Sequence, residues 1–275
     1  MKKENVFIGN LIVDKDSVID YTEVTGYVFV GEGAKLEAPS LKIVGGHVDV
    51  RENVELPSLK IVGGPIQVWT TALMKAPALK TVGGNVEVWG NAKLPALKTV
   101  GGHVETWNNI ELPSLKTVGT SVFLHKNSKL PALKTVGGSI RVWENAKLPA
   151  LKTVVGSVDV MESAKLNSPN LKIVGDSVVA YENSKLKAHS LKKVGGYVRA
   201  WDKAELKAHK EIKSYVPGAE DECRRELIKE FESEGYYFAG GEEMCRALSC
   251  VARLKYHTLS QIRSLLDFLQ PNKIK

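Results

Sequence analysis

Apolar residues recur along this chain as a fixed phrase, not as a helical stripe. Leu-Lys-(Thr/Ile)-Val occurs nine times, with its leucines at Leu41, Leu59, Leu79, Leu97, Leu115, Leu133, Leu151, Leu171 and Leu191; the last copy carries Lys193 at the third position. The intervals are 18 or 20 residues, and a fixed period in this range marks a solenoid in which each copy is one coil stacked on the next. The copy from Leu133 to Leu148 shows the pattern. Leu133 and Val136 point inward, Gly137-Gly138 turns the chain, and Ile140-Arg141-Val142-Trp143 alternates, with Ile140 and Val142 inward and Arg141 and Trp143 outward. Glu144-Asn145 is the next corner, Ala146 and Leu148 return to the core, and Pro149, which cannot donate a ladder hydrogen bond, suits the corner that opens the next coil. The glycine pairs are expected to supply positive φ at a tight corner.

Eighteen residues cannot hold a useful helix, two turns and a strand, so short strands joined by corners are predicted. The fold class is mainly β: a single-chain β-solenoid, expected to be right-handed, of about nine coils stacked about 4.8 Å apart, with N-terminal cap coils before them. The expected domains are an N-terminal cap over 1–22, solenoid repeats over 23–213 and a small α-rich module over 214–275 that caps the solenoid or carries an interaction. In that module Ala219 to Glu234, Glu242 to Tyr256 and Leu259 to Leu269 read as helices. The 20-residue coils are expected to carry their two extra residues at Lys75-Ala76, Asn167-Ser168 and Lys187-Ala188.

The phrase Leu-Pro-Ala-Leu-Lys-Thr-Val-Gly-Gly, carried here by Leu97, Val100, Gly102, Val104, Trp107 and Asn109 among others, resembles the repeat of bacterial and phage-encoded proteins labelled leucine-rich-repeat or receptor-L-domain-like. The resemblance covers about residues 23–209 and implies a β-solenoid that serves as a recognition scaffold. Because many such repeats occur in mobile genetic elements, it also implies a phage- or mobile-element-encoded inhibitor of a host defence complex, of the anti-CRISPR kind. Asn53, Asn91, Asn109, Asn127, Asn145 and Asn183 share one corner, but the period is shorter than that of a true leucine-rich repeat and the Gly-Gly pair is foreign to it. A horseshoe is therefore the alternative architecture.

Charge adds a direction. The formal charge of +7 lies within residues 1–209, which hold 27 Lys+Arg against 20 Asp+Glu, whereas residues 210–275 hold 11 of each. A basic surface favours nucleic acid, anionic glycans or acidic proteins. The three cysteines, Cys223, Cys245 and Cys250, all lie in the last segment; an odd number without a framework indicates reduced thiols and a cytoplasmic setting. No run of 18 apolar residues and no signal-peptide pattern is present, so no membrane is expected. A Cys-x4-Cys pair on a helix points its thiols about 140° apart, which does not suit one metal. No catalytic residue, metal or cofactor is assigned.

Three outward columns could carry function. The first is aromatic and reads Arg51, Trp69, Trp89, Trp107, His125, Trp143, Met161, Tyr181, Trp201, so that all five tryptophans share one column. Stacking within a sheet is its structural reading; a partner platform is its functional one, since Trp is enriched at interface hot spots. The second, beside it, is variable: Asp49, Gln67, Glu87, Glu105, Phe123, Arg141, Asp159, Val179, Arg199. The partner-binding set expected from these two is Trp69, Trp89, Trp107, His125 and Trp143 with Glu87, Glu105 and Arg141. The third column is lysine, Lys42 to Lys192, of which Lys80, Lys98, Lys116, Lys134 and Lys152 are the candidate anion-binding residues. A protein or nucleoprotein complex is the expected partner, with nucleic acid on the lysines as one alternative and a carbohydrate-binding or glycan-processing solenoid as another. In the last of these, Glu87 and Glu105 would sit one coil apart, like a carboxylate pair. A homodimer through the C-terminal module or the tryptophan column is a further expectation.

Overall fold

The computed structural model describes residues 5–201 and 203–213; the expected helical module over 214–275, with its cysteines, lies outside the described residues. Among these, every regular element is a β-strand of two to four residues and all pairings are parallel. They form a parallel β-solenoid of about eleven coils, which falls into two compact units, 5–103 and 104–213 among the described residues. Each coil contributes one strand to each of three faces. In the first unit the first face runs from Val6–Phe7 to Thr99–Val100, the second from Leu11–Val13 to Val86–Val88, and the third from Ser17–Val18 to Asn91–Lys93. The second unit is built the same way. Its first face runs from Thr117–Val118 to Lys193–Val194, its second from Val104–Thr106 to Val198–Ala200, and its third from Ile110–Glu111 to Glu205–Ala208.

The phrase Leu-Pro-x-Leu is a turn closed on itself. Leu59 N donates to Leu56 O (3.2 Å), Leu97 N to Leu94 O (3.2 Å) and Leu151 N to Leu148 O (3.1 Å). This is an i to i+3 β-turn with proline at the second position, where its fixed φ is already correct and its missing N–H costs nothing. The leucines on both sides of the turn are fully buried, so one four-residue motif reverses the chain and delivers two core side chains.

The glycine pairs serve a different purpose from the one expected. Among the described glycines only Gly9 and Gly33 have positive φ, so the paired glycines are not selected for left-handed backbone. They are selected for contact. Gly64 N donates to Gly46 O (2.9 Å), and a Cβ on Gly64 would stand 2.8 Å from both the Gly46 carbonyl carbon and the His47 nitrogen. Backbone sits on backbone at Gly64, and no side chain fits there, although Thr120 and Asp176 occupy the same position in other coils.

The register also moves the extra residues of the 20-residue coils. Met74 pairs with Val54 and Lys75 with Glu55, while Trp69 N donates to Val50 O; the insertion is therefore Thr70-Thr71, directly after the aromatic column, and not Lys75-Ala76. In the second unit Ala146 pairs with Leu166 and Lys147 with Asn167, which places the insertion at Glu162-Ser163, with Glu182-Asn183 its equivalent in the next coil. The wider corner is another i to i+3 turn: Ala164 N donates to Met161 O (3.0 Å) and Ser184 N to Tyr181 O (3.0 Å). Its third residue takes left-handed backbone at Gly33 (φ 76°), Ser163 (61°), Asn183 (58°) and Lys203 (57°). Ala76, Ser168 and Ala188, expected at a corner insertion, are instead buried residues in register with the core leucines that precede the proline.

Replacing Gly64 with Ala should lower stability by about 2–3 kcal/mol, because the backbone above and below cannot yield. Ser163→Gly, which relieves left-handed strain, should be neutral or stabilising by up to about 1 kcal/mol. Urea denaturation of the two variants measures the contrast; equal effects would refute this account of the corners.

Candidate interaction surface

The aromatic column exists in both units, one residue per coil, and within each unit its members are held by backbone hydrogen bonds to the coil before, as in Trp89 N to Val68 O (2.8 Å) and Trp143 N to Leu124 O (3.0 Å). In the first unit the Arg51 guanidinium lies 5.3 Å from the Phe29 ring centre and 5.2 Å from that of Trp69. Trp69 then stacks on Trp89 at 5.2 Å and 25°. In the second unit His125 is sandwiched between Trp107 (3.8 Å, 9°) and Trp143 (4.1 Å, 11°). Further along, Tyr181 lies parallel to Trp201 at 6.4 Å, and the Arg199 guanidinium sits 3.7 Å from the Trp201 ring centre. Stacking at these distances contributes roughly 0.5–1.5 kcal/mol per pair.

This geometry decides what the column can offer. Ring planes lie across the stacking direction, so ring faces meet other rings and ring edges meet solvent. Trp69 is 38% exposed, Trp107 44% and Trp201 44%, while Trp89 and Trp143 are half-buried. Two of the indole N–H groups are already spent inside the fold: Trp69 Nε1 donates to Asp49 Oδ1 (2.7 Å) and Trp107 Nε1 to Glu105 Oε1 (3.0 Å). At Trp69 and Trp107 the exposed surface is therefore apolar ring edge.

The neighbouring variable column locks onto it. Glu105 Oε1 also lies 3.0 Å from His125 Nε2, so one carboxylate oxygen is shared by an indole and an imidazole. The Arg141 Nε and Nη2 both donate to Asp159 Oδ2, at 3.1 and 3.0 Å, and the guanidinium lies 5.8 Å from the Trp143 ring centre. In the first unit Glu87 Oε2 accepts from Gln67 Nε2 (2.9 Å), and Glu87 Oε1 accepts from Asn85 Nδ2 (3.2 Å) and lies 3.2 Å from His103 Nε2. The His103 hydrogen bond, working against partial burial, holds the Glu87 carboxyl below the ordinary carboxylate range, with Gln67 and Asn85 adding to it. A glycosidase acid needs the opposite shift; Glu87 is built to stay ionised.

His47 stacks on Tyr27 at 4.5 Å and 16°; burial lowers its pKa, against a raising influence from Asp49. The corner that the first unit fills with Tyr27, His47 and Asn85 carries a serine column in the second. Ser139 N donates to Ser121 Oγ (3.1 Å) and Ser157 N to Ser139 Oγ (3.0 Å), with Ser177 and Tyr197 continuing the series. Sequence reasoning missed both these serines and the polar partners of Glu87. Their signal was the residue after Gly-Gly, read only as a corner.

The lysine column is a true backbone ladder. Lys60 N donates to Lys42 O (2.8 Å), Lys80 N to Lys60 O (2.9 Å), Lys152 N to Lys134 O (2.8 Å) and Lys192 N to Lys172 O (3.0 Å). Its members differ in exposure: of the five expected anion-binding residues, Lys80 and Lys152 are exposed, whereas Lys98, Lys116 and Lys134 are half-buried and already engaged. On the third face of the second unit an open groove of about 440 Å³ is flanked by Asn109, Asn127 and Asn145 on one side and Glu111, Lys129 and Lys147 on the other. Asn145 Nδ2 donates to Asn127 Oδ1 (2.7 Å), and Asn127 Nδ2 to Glu144 Oε2 (3.1 Å). Among the described residues no group of three or more His, Cys, Asp or Glu is placed to hold a metal.

No protein-family model, curated protein or solved structure matches the chain. The solenoid is thus established by its own geometry, and the likeness of its repeat phrase remains a likeness.

Glu87 has a folded pKa below its unfolded one, so the stability it contributes is present above about pH 4.5 and is lost as pH falls through the lower folded value. His103→Ala should bring the Glu87 titration back toward the ordinary range and flatten this acid dependence. Carboxyl titration by NMR, beside urea melts between about pH 3 and about pH 6, reads both; an unchanged Glu87 titration would refute the assignment.

Proposed function

We propose that this chain is a non-enzymatic recognition scaffold whose binding face is the aromatic column together with the charged column beside it. The observation that carries this reading is the exposure of apolar ring edges on a column stacked ring on ring and tied to its neighbours by hydrogen bonds at Trp69, Trp107 and His125. Rigid aromatic anchors ringed by fixed charge match the make-up of protein interface hot spots, with little side-chain entropy left to lose on binding. Glu105, Glu87 and the Arg141–Asp159 pair supply fixed charges next to those edges, and such charges govern orientation and partner choice more than raw affinity.

Sugars and unpaired bases are recognised by lying flat on an open aromatic face. Where the rings of this column stack, their faces are occupied by one another, so a protein, alone or within a nucleoprotein complex, is the partner we favour over a glycan.

In affinity capture from the native cells, with and without nuclease, the wild-type chain should retain a discrete protein partner under both conditions. Trp89→Ser and Trp107→Ser should each weaken capture at least roughly thirty-fold while leaving the β circular-dichroism spectrum intact. Undiminished capture by the folded variants would end this proposal.

A further inference from the structure

A second surface, independent of the aromatic column, is defined by sign of charge. The nine stretches that carry the column lysines on the first face are 39–46, 57–64, 77–84 and 95–102 in the first unit, and 113–120, 131–138, 149–156, 169–176 and 189–196 in the second; their single acidic residue is Asp176, which accepts from the Ser157 and Ser177 hydroxyls. Each contains a column lysine. Of the lysines elsewhere, Lys75, Lys126, Lys129 and Lys185 each meet a carboxylate on a neighbouring coil, while Lys93, Lys147 and Lys207 stand beside other lysines in the third-face register. Lys42, Lys60 and Lys80 in the first unit, and Lys152, Lys172 and Lys192 in the second, are exposed and have no carboxylate partner among the described residues.

Like charges stacked one coil apart, about 4.8 Å, repel. The backbone ladder fixes that spacing, so the ammonium groups can spread but cannot leave the strip. An anionic ligand running along the column removes the repulsion and gains from every lysine at once. The same stretches contain no Phe, Tyr or Trp, so they offer neither a platform for unstacked bases nor the aromatic anchors of a protein interface. Nor do they contain Arg or Gln, and Asn170 is their single Asn, which leaves almost no side chain suited to reading base edges. Lysine acts as a flexible point charge on phosphate.

We propose that the exposed lysines of the first face bind the phosphate backbone of double-stranded nucleic acid, without regard to sequence. A duplex carries one charge per about 1.7 Å of its axis, denser than the column, so each exposed lysine finds a phosphate to neutralise and a counterion to release.

Fluorescence anisotropy of the full chain with labelled duplexes of two unrelated sequences tests this between about 50 and about 200 mM salt. Both should bind alike, with a log–log salt slope between about −3 and about −5. Lys42→Gln/Lys60→Gln/Lys80→Gln should weaken binding at least roughly ten-fold at the low-salt end and make the slope shallower by about 3 at most. The equivalent triple at Lys152, Lys172 and Lys192 provides a second test at other positions of the column, and unchanged circular dichroism confirms that each variant is intact. The proposal is overturned by no binding at about 50 mM salt, by affinity unaffected in both triples, by strong preference for one sequence, or by tighter binding to poly-glutamate, which would make an acidic protein the occupant instead.

Discussion

Within each unit every strand lies on its equivalent from the coil before, in register and parallel, about 4.8 Å away. The peptide groups that pair across that spacing leave no freedom in where a side chain goes. Whatever a position carries in one coil, it presents directly beside the same position of the next. The paired glycines show how strict the constraint is: Gly64 rests on Gly46 closely enough to exclude a single methyl group. The closed Leu-Pro-x-Leu turn keeps the coil length constant, and where two residues are added they are confined to one corner, so the register of all three faces survives.

Stacking like on like suits some side chains and penalises others, and the outward columns record how each case is resolved. Aromatic rings gain from it, as Trp107, His125 and Trp143 do at 3.8 and 4.1 Å. Serine and asparagine bond along their own columns, Ser139 N to Ser121 Oγ and Asn145 Nδ2 to Asn127 Oδ1. Charged columns on the third face are mixed in sign: Glu55 lies beside Lys75, Glu111 beside Lys129 and Lys185 beside Glu205, although Lys75 also adjoins Lys93 and Lys129 adjoins Lys147. The exposed first-face lysines, Lys42, Lys60, Lys80, Lys152, Lys172 and Lys192, follow none of these solutions. Their column holds lysine in every copy of the repeat phrase and no carboxylate, whereas the third-face lysines share their columns with Glu55, Glu111 and Glu205.

The columns themselves were legible in the sequence because period alone creates them: once 18 and 20 residues mean one coil, Trp69 and Trp89, or Trp107 and His125, must be neighbours. What the period could not give was anything decided by backbone geometry inside a coil. A glycine pair looks the same whether it serves positive φ or close approach, and only the contact of Gly64 with Gly46 separates the two. Two extra residues could be aligned after Met74 as easily as before it, because Ala76 is apolar enough to pass for a corner or a core residue; the pairing of Met74 with Val54 decides. The polar setting of Glu87 was hidden for a related reason. Asn85 and His103 occupy the residue after Gly-Gly in successive coils, and their convergence on one carboxylate depends on side chains reaching across the corner.

Stacking also separates the two surfaces by the chemistry each has left unused. Because the aromatic rings satisfy one another face to face, and Trp69 and Trp107 have given their N–H groups to Asp49 and Glu105, what remains on that corner is edge: apolar, rigid and framed by charges already paired. Such a surface gains by excluding water against a complementary protein and has little to offer a flat, free-standing ring. The first face has kept the reverse, a column of monopoles whose stretches hold no aromatic, a single carboxylate at Asp176 and no base-reading array. It discriminates charge density and little else. A solenoid that must repeat its residues can vary its surfaces only column by column. Under the two proposals made for these surfaces, shape-specific contact on one column and sequence-blind charge contact on another would together suit a partner made of protein and nucleic acid.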